Sequence, residues 1–448
     1  SEKVLKDCLA AIEKGDLIIA SMLFMEDHFK PVREALAERR SECQAMVCIM
    51  SAPEISSLTL MGRLDMSKPS SGPLAFLKRF RKKSKSNAQS SGANQMRMLR
   101  RLPKILKYIP GTAQDLRMYL LTLQYWLAGS QDNIFGLVCN LIDKYLQPGG
   151  LPLNRKLEFS APKEYPELGV YHPRIRGRIG SSLEDLPRVV PKNKVKGVVG
   201  LLMLRSYLLA GNTAHYDGVI AALEAQGLEV VPAFAMGLDS RPAINKFHMC
   251  GDKSRVDVLI SLTGFSLVGG PAYNDSAAAI STLKKLNVPY ISAHPLEFQT
   301  LNSWKESKIG LLPVETTIMV AIPELDGAMS PMVYGGRKGE PSDREVTDGK
   351  FSNSHDMAFC SERVSLLSEK VVKLVALKRK RNREKRVAVV LFNFPPNAGN
   401  VGTAAHLDVF ESLFNTLTEM HRQGYDFRLP RDSEELKKLI LEGNAKQF

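Results

Sequence analysis

Residues 198–234 read VVGLLMLRSYLLAGNTAHYDGVIAALEAQGLEVVPAF, and this stretch decides the fold class. Val198 to Leu204 is an unbroken apolar run. Next comes a helical period that puts Tyr216, Val219, Ile220 and Leu223 on one face, with a stop at Gly227. A second apolar run follows from Glu229 to Phe234. Runs that are apolar throughout, instead of alternating, signal strands covered on both faces. Two such strands joined through a helix must lie parallel. The pattern repeats in Val256–Leu262, Val288–Ser292 and Thr317–Ile322, with a helix over Asp275–Leu286. The expectation for 194–345 is an α/β domain with a doubly wound parallel sheet. Ligands of such sheets bind beyond the C-terminal strand ends. Those ends carry Arg205 and Ser206, Met236 to Asp239, Thr263 to Gly270 with Gly264, Gly269 and Gly270, and His294 with Glu297.

Working outward, residues 1–66 read as a partial α/β domain. It holds an amphipathic helix over 1–14, buried strands at Leu17–Phe24 and Met46–Met50, and a helix from Pro31 to Arg40 between them. Residues 67–96 are rich in Ser, Lys and Pro and read as a flexible basic loop. Residues 97–147 read as helical, with Leu116, Tyr119, Leu120, Leu123, Trp126 and Leu127 as an apolar stripe ended by Gly129. Residues 148–193 read as an extended connector. Residues 346–386 read as a polar loop, a helix from Glu362 to Arg379 and a basic linker. Residues 387–448 read as the start of a further, truncated α/β domain.

That last stretch opens VAVVLFNFPPNAGNVGTAAHLDVFESLFNTL at Val387. It reads as a strand over Val387–Phe392, a loop with Gly399 and Gly402, and a helix capped by Thr403 and ended by Gly424. A glycine-bearing loop at a helix start can approach an anionic ligand, although on composition alone a plain tight turn is the favoured reading. Asn393, Asn397, Asn400, Gly402, Thr403 and His406 are its candidate contacts. No GxxxxGK[ST] and no GxGxxG after a strand occurs in the chain.

The chain has 448 residues and a net charge of +14. KRFRKKSK at Lys78–Lys85 and KRKRNREKR at Lys378–Arg386 carry +6 each, leaving +2 for everything else. The basicity is therefore two local clusters. That argues for solvated linkers and against nucleic-acid binding, with an acidic lipid or partner as the other option. The six cysteines form no CxxC pair, so free thiols in a reducing, cytoplasmic compartment are expected. No apolar run is long enough to span a membrane, and no export signal is read.

Five segments, with the 387–417 stretch, resemble the large porphyrin-binding (H) subunit of magnesium chelatase, and more loosely the cobaltochelatase large subunit. They are RRLPKILKYIPGTAQDLRMYLLTLQYWLAGSQDN from Arg100, YHPRIRGR from Tyr171, SLTGFSLVGGPAYND from Ser261, PYISAHPLEFQT from Pro289 and PELDGAMSPMVYGGR from Pro323. YHPRIRGR and PYISAHPLEFQT lean toward the bacteriochlorophyll branch. The resemblance covers nearly the whole chain, which looks like an N-terminal portion of a much longer protein. It implies several Rossmann-like, doubly wound α/β domains with a helical segment inserted. It further implies protoporphyrin IX as ligand, Mg²⁺ as substrate, and ATP hydrolysed by separate AAA+ subunits. The downstream methyltransferase is a further partner. This portion alone should be inactive.

A flat apolar ring with two propionates asks for an apolar slot edged by cationic or N–H groups. Arg205 is the leading cation for that edge, with a surface ion pair as its other reading. Placing Mg²⁺ and removing two pyrrole protons asks for carboxylates or a histidine. His294 with Glu297, Glu324 with Asp326 and His406 with Asp408 are close pairs without a specific metal spacing, and structural hydrogen bonding is the favoured role for each. No catalytic residue or metal ligand is assigned. Outside the chelatases stand a non-enzymatic α/β ligand-binding scaffold and a nucleic-acid binder using the basic clusters.

Overall fold

The computed structural model describes residues 2–68, 101–146, 157–270, 273–339, 346–347, 350–351, 356–392, 400–404 and 406–444. The chain divides into two compact units. One contains residues 1–167 with 205–212, and the other contains 168–204 with 213–448.

In the first unit, α1 (Glu2–Lys14), β1 (Leu17–Ser21), α2 (Glu26–Arg39) and β2 (Ala45–Ile49) form the expected βαβ arrangement. β1 and β2 are parallel, with Leu17 opposite Ala45. Two short antiparallel strands, β3 (Leu60–Met61) and β4 (Leu64–Asp65), extend the sheet from β2. Every β2 side chain is buried. Phe29, Val32 and Leu36 of α2 pack on one side of it, and Met118, Tyr125, Leu137 and Leu141 pack on the other. Those last four come from α3 (Thr112–Ala128) and α4 (Gln131–Tyr145). Gly129 ends α3 in the left-handed conformation, as its position predicts, and Ser130 caps α4 through the Asn133 amide. The loop expected over 67–96 lies, from residue 69 onward, outside the described residues.

The second unit is built on eight strands. These are β5 (Leu168–Tyr171), β6 (Ile179–Gly180), β7 (Gly197–Leu204), β8 (Leu228–Ala235), β9 (Val258–Ser261), β10 (Tyr290–Thr300), β11 (Met329–Arg337) and β12 (Met357–Phe359). Their order across the sheet is β12-β11-β10-β9-β7-β8-β5-β6. The inner five are parallel, and β12, β5 and β6 add antiparallel edges. The segment expected as a connector thus supplies two edge strands.

Helices α5 (Ala214–Ala225), α6 (Ser276–Leu286) and α7 (Ser361–Arg379) cover the sheet. Two glycines of β7 show that cover lies on both faces. A Cβ on Gly197 would meet Val375 of α7 at 2.3 Å, and one on Gly200 would meet the His248 ring at 3.1 Å. An odd and an even position on one strand point to opposite faces. Val199, Leu201, Leu202 and Met203 are all buried between these layers. Each such side chain contributes about 1.5–3 kcal/mol by leaving water.

Three expectations are corrected. Thr317–Ile322 is not a strand. Thr316–Ala321 is wound as a wide π-type helical turn, continued by a helix over Ile322–Asp326. Pro313 starts this helical run, and Glu315, fully buried, accepts from the Leu312 amide at 3.2 Å. A short β-branched run cannot be told from a buried helix by period alone. The fifth parallel strand is instead β11. Val387–Phe392 is not a strand either: among the described residues it forms no β-ladder, the Phe392 carbonyl accepts the Gly402 amide at 3.3 Å, and Val390 is 92% exposed. A strand needs a neighbour to complete its ladder. Finally, the helix expected at Thr403 starts at Val409.

Candidate functional site

The five parallel strands run in the order second, first, third, fourth, fifth in chain sequence. The connection from β7 to β8 therefore leaves in one direction, and the chain returns to the other side of β7 for β9. Loops diverge at such a reversal and leave a crevice past the strand ends. Here the crevice is an open notch of about 260 Å³ of non-protein space. Met203 and Leu204 line it from β7, Ala235, Gly237, Leu238 and Ser240 from β8 and its loop, and Thr263, Phe265, Ser266 and Gly269 from the loop after β9.

The two loops are stitched together. The Ser240 amide donates to the Leu267 carbonyl at 3.0 Å, and the Gly269 amide donates to that of Leu238 at 2.8 Å. Within the second loop, Thr263 Oγ1 and Ser261 Oγ lie 2.9 Å apart. From sixty residues away, buried Asp326 accepts Ser266 Oγ–H at 2.7 Å and the Leu267 amide at 2.8 Å. Burial pushes the Asp326 carboxyl upward, against the pull of these two donors. The walls combine hydroxyls with Phe265 and Leu238, and none of the lining residues is charged. That chemistry suits an apolar edge and a few neutral polar contacts. Most of this space is open solvent and the enclosed part is about 10 Å³, far from the 300–1,000 Å³ typical of drug-sized ligands, so a tetrapyrrole needs further walls.

The candidates separate. Gly269 lines the notch with φ +118°. Gly264 has φ +72°, and its Cβ would sit 3.2 Å from Pro295 and not over open space. A Cβ on Gly270 would sit 2.3 Å from Leu238, so its bareness serves loop packing. His294 and Glu297 are not in a loop past a strand end, because β10 runs on to Thr300. His294 is buried with both ring nitrogens lacking a hydrogen-bond partner among the described residues, and desolvation holds its pKa down at about 4. Arg205 and Ser206 open the short helix Arg205–Ala210. The Arg205 guanidinium donates to the carbonyls of Pro166 at 3.0 Å and Tyr165 at 3.2 Å. Glu324 is exposed while Asp326 is buried, so that pair is not one site.

The 387–417 stretch is rearranged. Asn393, Asn397 and Gly399 lie outside the described residues, and Asn400 is half-buried. Thr403 and Ala404 pair with Leu407 and Asp408 in a two-strand hairpin, with His406 at φ +61° in its turn. His406 is therefore not one turn into a helix, and Thr403 is not its cap. Asp408 caps α8 (Val409–Arg422) through the Glu411 amide at 3.0 Å. Asp408 followed three residues later by Glu411 is the capping-box spacing, a signal the sequence does contain. Gly424 follows the end of α8 at φ +83°, as expected.

The YHPRIRGR motif turns at the sheet edge, with Tyr171 and His172 buried and Arg174, Arg176 and Arg178 exposed. Tyr171 Oη donates to Asp217 at 2.5 Å, and His172 Nε2 lies 2.9 Å from Glu224. Among the described residues, no group of three His, Cys, Asp or Glu could hold a metal ion, and no helix is long and apolar enough to cross a membrane. All six cysteines are free thiols.

Residues 123–448 match the family model described as CobN/Magnesium Chelatase, and residues 1–120 match a domain of unknown function. The chain is 49% identical over 447 residues to the magnesium-chelatase H subunit of Cereibacter sphaeroides, covering 98% of this chain and 36% of that protein. It is 48% identical to the protein of the same name from Rhodobacter capsulatus, covering 97% and 36%. The chain thus spans about a third of the length of these relatives. Among solved structures it is similar to the catalytic subunit of cobaltochelatase from Mycobacterium tuberculosis, with a TM-score of 0.53 at 18% identity, over 99% of this chain and 30% of that one. That likeness concerns the fold, a mixed α/β architecture with parallel sheets. With a family model matched over more than two thirds of its length, the chain belongs to the CobN/Magnesium Chelatase family.

Proposed function

We propose that this chain is the porphyrin-handling portion of a magnesium chelatase large subunit. In that role it serves the insertion of Mg²⁺ into protoporphyrin IX during (bacterio)chlorophyll synthesis in the cytoplasm. The observation that carries the reading is 49% identity along 98% of the chain to a protein named for that activity. Mg²⁺ is substrate here, not a resident cofactor. ATP is hydrolysed by separate AAA+ subunits, in keeping with a sequence that has no lysine-bearing phosphate loop. The downstream methyltransferase is the acceptor of the product.

The second unit acts as a doubly wound domain, with its ligand at the chain reversal between β7 and β9. Phe265 and Leu238 offer apolar contact to one edge of the macrocycle. Ser240 offers a neutral hydrogen bond, while the buried Thr263 and Ser266 hydroxyls, bonded to Ser261 and Asp326, hold the loop in shape. The stitched loops hold these groups in place before the ligand arrives, which limits the ordering cost of binding. Small volume and open walls fit a portion that contributes one side of a larger site.

The test is a fluorescence titration of the full-length subunit with protoporphyrin IX against a cobyrinate-type corrin. Tighter porphyrin binding supports the reading. Preference for the corrin would move the protein to the cobalt branch. Affinity for neither, with a small polar ligand bound instead, would make it a non-enzymatic scaffold.

A further inference from the structure

The first unit ends its parallel pair in strained backbone. β1 stops at Ser21 and β2 at Ile49, and the residue after each adopts a left-handed conformation: Met22 at φ +64° and Met50 at φ +45°. Side chains other than glycine, asparagine and aspartate seldom take that region, because Cβ crowds the backbone. The loops beyond are fastened to each other. The Met22 amide donates to the Met50 carbonyl at 2.9 Å, the Leu23 amide to Ser51 Oγ at 3.2 Å, and the Ala52 amide to the Leu23 carbonyl at 2.8 Å.

This frame leaves four large apolar side chains in solvent: Met22, Phe24, Met25 and Met50 are 40–61% exposed. Methionine is unbranched and polarisable, and methionine-rich surfaces adapt to irregular apolar partners. Strained backbone beside such a surface is a common mark of function. The rim is acidic. Exposed Glu26 and Asp27 open α2, and exposed Glu54 follows Ala52. Glu26 is shared with Lys30, whereas Asp27 and Glu54 have no ion-pair partner among the described residues.

We infer that this shelf docks a basic amphipathic helix of a partner protein. The helix lays its apolar side chains on the methionines and Phe24, and its lysines or arginines reach the carboxylate rim. Charge selects this occupant. A ligand bearing propionates meets carboxylates of its own sign. A second copy of the chain in a two-fold contact sets the acidic rim against itself. The inference is independent of the tetrapyrrole reading, which concerns the other unit.

The test uses the whole chain and two synthetic helices of about 18 residues, each with leucine on one face, and lysine or glutamate on the other. The lysine peptide binds, and the glutamate peptide binds at least about tenfold more weakly. Met22→Gly with Met50→Gly relieves the backbone and removes two thioethers. The thermal midpoint therefore rises, while affinity for the lysine peptide falls by about tenfold or more. Asp27→Lys with Glu54→Lys, at exposed positions that leave folding intact, shifts the preference toward the glutamate peptide. Equal binding of both peptides, or undiminished affinity in the glycine variant, overturns the inference. So does a lysine-peptide preference that survives charge reversal, quenching of protoporphyrin IX by the shelf, or a dimer lost in the glycine variant.

Discussion

Ser266 and Asp326 lie sixty residues apart in sequence and 2.7 Å apart in space, and the carboxylate that joins them also takes the Leu267 amide. One buried side chain thereby fixes the loop that forms a wall of the notch. Asp326→Ala leaves the Leu267 amide without its acceptor and Ser266 with only its longer contacts to the Val268 backbone. A loss of about 1–3 kcal/mol is expected in urea unfolding, with a smaller loss for Asp326→Asn. The sign of the pH effect follows from the raised carboxyl: its contribution is present below the ordinary carboxylate range and is lost as pH rises through the raised value. Asp326→Asn should flatten that part of the stability profile. An unchanged profile would mean that Asp326 titrates normally.

Acid sensitivity should come largely from three buried histidines. Desolvation depresses His248 and His294 to about 4 and His215 to about 3. The folded protein holds them neutral, so their contribution is complete above the ordinary imidazole value and is lost as pH falls toward these depressed values. His248 and His294 each account for on the order of 3 kcal/mol at the acid end. His294→Leu, which removes two unpartnered nitrogens, should keep stability at pH 7 and reduce its loss at pH 5. Denaturant midpoints at the two pH values decide the matter.

Gly402 has a structural duty. Its φ of +71° disfavours any side chain, and a Cβ there would meet the Phe410 ring at 3.2 Å. Gly402→Val should cost about 1–3 kcal/mol and speed amide exchange through 409–422. Gly424 has φ +83° with open space around it, so Gly424→Ala should cost only about 1 kcal/mol. Equal exchange in both variants would remove the special role of Gly402.

Phe265 gives the notch most of its aromatic surface. In the full-length subunit, Phe265→Ala should weaken protoporphyrin IX by about tenfold while the far-UV circular dichroism stays unchanged. Undiminished affinity would place the ring elsewhere.

The sequence reveals what is buried on both sides. VVGLLML and its counterparts read as strands because a covered parallel strand has no polar face, and four of the five expected strands are present. β11 escaped because MSPMVYGGR has two glycines and a serine, and Ser330 takes φ +57° within it. TTIMVA misled in the other direction, since proline and a capping carboxylate outweighed β-branching. Of the site, the glycine-bearing segment after β9 was legible as a loop past a strand end, but Gly264 and Gly270 meet Pro295 and Leu238, and of the three glycines Gly269 alone lines the notch. Asp326 was visible only as one of a carboxylate pair. What it holds depends on a contact across sixty residues that no local spacing encodes.

Gly197 of β7 packs against Val375 of α7, about 180 residues later in the chain. During synthesis this strand leaves the ribosome long before the helix that covers it exists. At about 5–20 residues per second, the Gly197 end of the strand lacks this cover for roughly 10–40 s. Yield in the cell should therefore depend on how well the nascent chain is sheltered over that interval, and not only on the stability of the finished fold.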